Sequence, residues 1–328
     1  MELVKKLCIL FFLGGILMIL EGCNAKEQTQ VIRLGHGLDT SHSVHKAMVF
    51  MAQKLEEKSG GRMTIAIYPN QQLGSERECL ELLQIGSLGM TKVSAATMEN
   101  FAEEFKVLNL PYLFRNSEHR FNVLEGPIGQ ELLHSSENKR LIGLTFYDSG
   151  TRNFYSDRPI KTPSDLQGLK LRVMPSQTAI NTLKYLGGSP TPISWGELYA
   201  ALQQGIVDGA ENNLPSYYLN NHYEVCMYYS MDEHTAVPDE LLISKIIWEG
   251  LDQQEKQWLK EAAEESSLYQ KKLWAKSEEE ALDGMRKAGV TIIHPDKEAF
   301  RKKVAPMYDK FKEDPVMKKT IEAIQAVE

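Results

Sequence analysis

The spacing of apolar positions changes along the chain in a regular order. "VIRLGH" (31–36) alternates apolar and polar residues, as a half-buried strand does. "HSVHKAMVFMAQKLEEKSG" (42–60) repeats its apolar positions every three or four residues and ends on glycine, which predicts an amphipathic helix. "MTIAIYP" (63–69) then reads as a strand and "SERECLELLQIG" (75–86) as a helix. The alternation persists to about residue 245 and predicts α/β layers around mostly parallel sheets. Ser75 with Glu78 forms a capping box, and Thr162, Pro163 and Asp165 start another helix with proline in its first turn. Gly60 and Gly86 stop helices in the left-handed conformation.

One module occurs twice. When "SERECLELLQIGSLG" from Ser75 is set over "SWGELYAALQQGIVD" from Ser194, Ser75 and Glu78 fall on Ser194 and Glu197, and Gly86 falls on Gly205. Leu83 and Gln84 fall on Leu202 and Gln203. A short strand is read at Ile206 and Val207 in the second copy. Two similar α/β lobes predict a cleft whose ligand groups lie beyond the carboxyl ends of strands. After Pro238, residues 251–289 read as one or two long helices, opened by an Asp252–Glu255 capping box and closed at Gly289. There Trp258, Leu259, Ala262, Tyr269, Leu273 and Trp274 recur at helical spacing as a packing stripe. No low-complexity linker separates the lobes, so crossing strands are expected to join them.

At the N-terminus, Lys5 and Lys6 precede "LCILFFLGGILMIL", an uncharged run with the character of a secretory h-region and short for a membrane span. It meets "LEGC" at Cys23, which is similar to the end of a bacterial lipoprotein signal, although Glu21 departs from that pattern. The resemblance implies lipidation of Cys23 and an acyl anchor that does not span the membrane. Export permits disulfides, yet only Cys79 and Cys226 remain beyond this segment; one bridge is open to them, and buried free thiols are the expected state.

Composition narrows the function. The 328 residues are 42% hydrophobic, enough for a large core and two domains, and a net charge of -7 without a basic stripe argues against a nucleic-acid partner. No nucleophile elbow, zinc-protease helix, P-loop or dinucleotide fingerprint is present. His36, His42 and His45 lack a recognisable fourth ligand for zinc, so His42 and His45 are read as local hydrogen-bonding residues at a helix start, and no metal or cofactor is expected. "DEHTAVPDE" (232–240) gathers Asp232, Glu233, His234, Asp239 and Glu240 with no nucleophile nearby, and reads as a polar loop where the chain crosses between lobes.

Cationic and amide side chains at strand ends carry the leading signal. "YDSGTRNFYS" places Arg152 and Asn153 after the strand "LIGLTFY", and "LKLRVMPS" places Arg172 inside an apolar run. Alternation leaves two readings of that run: Lys170, Arg172 and Met174 line a wet face, or Arg172 enters a cleft. A guanidinium fork matches a carboxylate two bonds at a time, and the amides of Asn212 and Asn213 suit hydroxyls. Trp195 offers a flat apolar face for a ring or carbon chain.

"YPNQQLGSERE", "LPYLF", "DSGTRNFYS", "TPSDLQGLKLRVMPS", "LGGSPTPISWGELYAALQQGIVDGAENN" and "EHTAVPD" occur in this order. Together they resemble the DctP-type solute-binding proteins of tripartite ATP-independent periplasmic (TRAP) transporters, over about residues 31 to 310. The resemblance implies a two-lobed α/β fold of the type II periplasmic-binding-protein kind, each lobe a mainly parallel sheet flanked by helices, with a long C-terminal helix spanning both. It places lobe I at 26–149 plus 238–277 and lobe II at 150–237 plus 278–328, after the signal at 1–23. It implies an extracytoplasmic, non-enzymatic protein that closes on an organic acid and passes it to membrane permease subunits. Arg172 is then the carboxylate grip, joined by Arg152, Asn212 and Trp195. Glu76, Ser94, and His36 with Gly37 come from the first lobe, and Asn153, Asn213, Met174 and Tyr217 complete the expected set. "GHGLD", "ISWGELYAAL" and "DGAENNLPSYY" resemble the subgroup for hexuronates such as glucuronate and galacturonate. A C4-dicarboxylate, or presentation of the ligand to a membrane sensor, is the alternative.

Overall fold

The computed structural model describes residues 29–328. The segment 1–23 and Cys23, with its expected lipid, lie outside the described residues. The chain forms β1 (Gln30–Gly35), β2 (Met63–Tyr68), β3 (Met90–Ser94) and β4 (Leu141–Tyr147), then β5 (Arg152–Ser156), β6 (Lys170–Val173), β7 (Ser189–Pro192), β8 (Gly209–Asn212) and β9 (Tyr228–Thr235). It returns through β10 (Asp239–Ser244) and ends its strands with β11 (Thr291–Ile293). Two sheets result, in the orders β2-β1-β3-β10-β4 and β11-β9-β5-β8-β6-β7.

Each sheet is parallel except for one strand. β10 runs antiparallel to β3 and β4, and β5 runs antiparallel to β8 and β9. Both are the first strands after a crossing, at 148–151 and 236–238. A chain leaving the carboxyl end of one sheet enters the other at the carboxyl ends of its parallel strands and must run backwards through it. The cleft therefore lies where the sheet rules of α/β proteins put a ligand.

Alternation along the strands feeds a core on each side of each sheet. Leu242 packs with Val93, Phe105 and Phe146, while its neighbours Leu241 and Ile243 pack with Ile32, Leu34 and Met51 on the other face. In the second sheet Tyr155 and Phe154 divide in the same way. β7 carries Pro190 and Pro192 and stands at a sheet edge, where a missing N–H costs no ladder bond.

Residues Gln253–Lys287 form one helix of 35 residues, about 52 Å long at 1.5 Å per residue, opened by the Asp252–Glu255 capping box and followed by left-handed Gly289. Leu259, Ala262 and Trp274 pack on the first lobe, and Ala281 and Met285 on the second. Between them Gln270 grips the crossing chain, accepting from Asp148 N at 2.9 Å and donating to Asp148 O at 2.7 Å.

Four expectations are corrected. The last helix, Pro315–Ala326, falls in the residues expected to build lobe II, yet Met317, Ile321 and Ile324 complete the first-lobe core. Thr162, Pro163 and Asp165 do form a capping box, but it opens only the short 3-10 turn Pro163–Leu166, because the chain must straighten into β6 four residues later. The strand of the repeated module is Gly209–Asn212 rather than Ile206–Val207; Ile206 is exposed on the turn after left-handed Gly205. "DEHTAVPDE" is mostly strand, in β9 and β10, with only residues 236–238 crossing. Cys79 and Cys226 are buried, free and packed in different lobes.

Candidate functional site

A cavity of about 210 Å³ lies between the lobes at the carboxyl ends of the parallel strands. It is smaller than pockets for drug-sized ligands, roughly 300–1,000 Å³, and suits a molecule of monosaccharide size. The repeated module builds both walls. Ser94 ends β3 and N-caps the next helix through Thr97 N; 119 positions later Asn213 follows β8 and N-caps its helix through Ser216 N. The copies differ at the start: Ser75 makes both bonds of its capping box, whereas the Ser194 side chain caps nothing.

Arg172 lines the second-lobe wall and is only 2% exposed. Its Nε donates to Ile193 O at 2.8 Å, and its buried Nη1 has no partner. No carboxylate pairs with it among the described residues. Burial draws its pKa below the usual arginine value, and the Arg152 charge adds to this against the pull of Glu211. Of the two readings of "LKLRV", the wet face is thus excluded. Arg152 is placed differently. It forms an ion pair with Glu211 through Nε, donates from Nη2 to Glu211 Oε1 at 3.0 Å, and donates from Nη1 to Asn212 Oδ1 at 2.9 Å. Burial alone would raise the Glu211 pKa, but Arg152 and His234 hold it at about 2. His234, 2.8 Å from Asp232 and 3.8 Å from Glu211, is raised to about 9 against its burial by these two acids. Arg152, His234, Glu211 and Asp232 thus cancel in charge, which leaves Arg172 as an unbalanced cation.

The first-lobe wall is knit around Lys92. Its Nζ donates to Glu76 Oε1 at 3.0 Å and to Asp239 Oδ1 at 3.2 Å. Glu76 Oε2 also accepts from Ser94 N, Ser94 Oγ and Thr97 Oγ1, the last at 2.6 Å. Burial, with the Glu76 charge, raises Asp239 to about 6 although Lys92 opposes it. His42 also faces the cavity. Its Nδ1 accepts from Val44 N to cap a helix, so Nε2 carries the proton and points at Ser216 Oγ, 3.5 Å away on the other lobe. Burial and Lys92 lower its pKa to about 3, so the ring is neutral.

The walls meet directly. Asn100 Nδ2 donates to Pro175 O at 2.9 Å, and Thr178 N donates to Glu99 Oε1 at 3.0 Å. Gly196, beside Trp195, faces the first-lobe side chain of Gln71, whose amide oxygen would stand 2.1 Å from a β-carbon there.

Of the residues expected at the site, Arg172, Arg152, Asn212, Asn213, Trp195, Glu76, Ser94, Met174 and Gly37 line the cavity. Three do not. The His36 ring turns away, with Nδ1 accepting from Leu38 N and Nε2 3.0 Å from His45 Nδ1. Asn153 follows Arg152 on a strand and points to the opposite face, where it donates to Tyr229 Oη and accepts from Glu233 N. Tyr217 is fully buried and donates to Cys226 O. The pattern reading missed Lys92, Asp239, His42, Gln71 and Trp274 in the lining. Lys92 carried only a weaker form of the signal noticed at Arg172, because "MTKVS" sets its charge between Thr91 and Val93 in a run with two apolar residues.

Comparison with known proteins agrees with this architecture. Residues 34–314 match the DctP family, described as bacterial extracellular solute-binding protein, family 7. The protein YiiZ of Salmonella typhimurium is 41% identical over 288 residues, 87% of this chain and 88% of that one. A TRAP periplasmic solute-binding protein from Xanthobacter autotrophicus, solved with bound β-D-galacturonate, is 37% identical with a TM-score of 0.88, covering 90% of this chain and all of that one. Another, from Anaerococcus prevotii with bound D-glucuronate, is 35% identical with a TM-score of 0.88, covering 90% and 97%. The chain therefore belongs to the DctP family of bacterial extracellular solute-binding proteins.

Proposed function

We propose that this chain captures a hexuronate of the glucuronate or galacturonate type between its lobes and delivers it, unchanged, to the membrane subunits of a TRAP transporter. The observation that carries the reading is the buried Arg172 guanidinium, with Nη1 unpaired, on a cavity of sugar size. A carboxylate supplies the missing counter-charge, which offsets the cost of keeping that cation out of water. A charge-assisted bond contributes about 1.5–3 kcal/mol, whereas micromolar binding needs about 8 kcal/mol. The remainder comes from the Trp195 face and from hydroxyl contacts with Asn212, Asn213, His42 and the Lys92 cluster. The two similar proteins solved with galacturonate and glucuronate support the same class.

Calorimetric titration with hexuronates, aldonates, sialate, succinate and malate tests the reading. Hexuronate binding with recovery of unaltered ligand by mass spectrometry is expected; a response to succinate and to no hexuronate overturns it. The proposal includes export and lipid attachment at Cys23, which the intact mass of the membrane fraction tests directly.

A further inference from the structure

The charge on the cavity walls is divided. On the second-lobe wall only Arg172 is unbalanced, because Arg152, His234, Glu211 and Asp232 cancel. On the first-lobe wall Lys92 faces both Glu76 and Asp239, one cation against two acids. Arg77 at the rim is largely exposed and pairs with Glu81 at 3.0 Å. His42, the other titratable side chain there, is neutral. The cavity thus presents an excess positive charge at one wall and an excess negative charge at the other. The polar atoms left over fit this division. Glu76 is saturated by Lys92, Ser94 and Thr97, whereas Asp239 Oδ2 receives no donor from the described residues. The Lys92 ammonium has two of its three donors committed.

We infer that the Lys92–Glu76–Asp239 wall reads the end of the ligand remote from Arg172, accepting a hydroxyl group and rejecting a second carboxylate. A hydroxyl donates to Asp239 Oδ2 and accepts from the third Lys92 proton. A carboxylate in its place has no proton to donate and meets the surplus negative charge. The inference rests on the proposed sugar-acid reading and narrows it: sugar acids with one carboxylate are ligands, while aldarates and C4-dicarboxylates are excluded by charge rather than by size.

Galactarate cannot close the pyranose ring of galacturonate, so galactonate, an open chain that differs from galactarate only in carrying a hydroxyl instead of a carboxylate at the far end, isolates the effect of charge. Titrated into the full chain at pH 8, galacturonate and galactonate are each expected to bind at least about tenfold more tightly than galactarate. Asp239→Asn and, separately, Glu76→Gln are expected to narrow both ratios by strengthening galactarate. Galactarate or succinate binding to the wild type as tightly as galacturonate or galactonate overturns the inference, as does a ratio that both folded variants leave unchanged. The wild-type ratios decide even where a variant fails to fold. Failure of the sugar-acid reading looks different: the wild type then binds neither galacturonate nor galactarate.

Discussion

Arg152 and Arg172 stand on β5 and β6 with β8 between them, and their surroundings are opposite. Arg152 spends its donors on Glu211 and Asn212, whereas Arg172 has one backbone acceptor and a bare Nη1. Both are buried arginines at the same cleft. The first is part of the scaffold because removing its partner would leave a charge uncompensated. The second is available to a ligand because no partner was built for it. Burial and residue type do not separate the two cases; the count of opposite charges around each does.

The largest effect should come from the balanced arginine. Glu211→Gln strands Arg152, while His234 keeps Asp232 at 2.8 Å, and is expected to cost about 3–5 kcal/mol of stability, read by denaturant unfolding. If that loss is absent, Arg152 is not held as described. Arg172→Lys should do the reverse: melting unchanged, hexuronate affinity weakened about ten- to a hundredfold in calorimetry, since lysine loses the planar fork. Unaltered affinity would remove Arg172 from the ligand grip.

The first lobe supplies the acidic counterpart. Glu240 is fully buried with both carboxylate oxygens unpartnered, and burial holds its pKa well above the ordinary 4.5. An acid raised in the folded state contributes stability that is complete below about 4.5 and is lost as pH rises through the raised value. Glu240→Gln should therefore raise the melting temperature at pH 8 by roughly 2–4 °C, for at least about 1 kcal/mol, with the gain vanishing toward pH 4. A gain independent of pH would refute the assignment. The smallest contrast compares the module's two copies. Ser75→Ala should cost about 1 kcal/mol and Ser194→Ala close to none, because only Ser75 caps its helix. Equal costs in thermal melts would show that the copies are capped alike.

Much of this was legible from local rules. Period and capping signals located the alternating elements, and charge inside an apolar run located Arg172. What failed was orientation. Adjacent residues on a strand face opposite sides, so Arg152 and Asn153 could not both reach the cleft, yet sequence adjacency made them look like partners. His36 and His42 bracket a loop whose turn decides which ring enters the cavity, and that turn depends on β2 and the loop after it, where Tyr68 O accepts from His36 N and His36 O from Gln71 N. Lys92 and Asp239 lie 147 positions apart and meet only because β10 slots beside β3. The final helix could not be placed by period, since an amphipathic face does not state which lobe it will cover.

The insertion of β10 between β3 and β4 also constrains the order of assembly. As the polypeptide emerges from its amino end, β1 to β4 are complete nearly a hundred residues before the strand that must divide them. The initial half thus waits with a gap between β3 and β4 while most of the intervening half is made. Contacts this distant slow folding and prolong exposure of unpaired edges, so a chain truncated before residue 239 would lack the strand that joins β4 to the rest of its first sheet, not merely its tail.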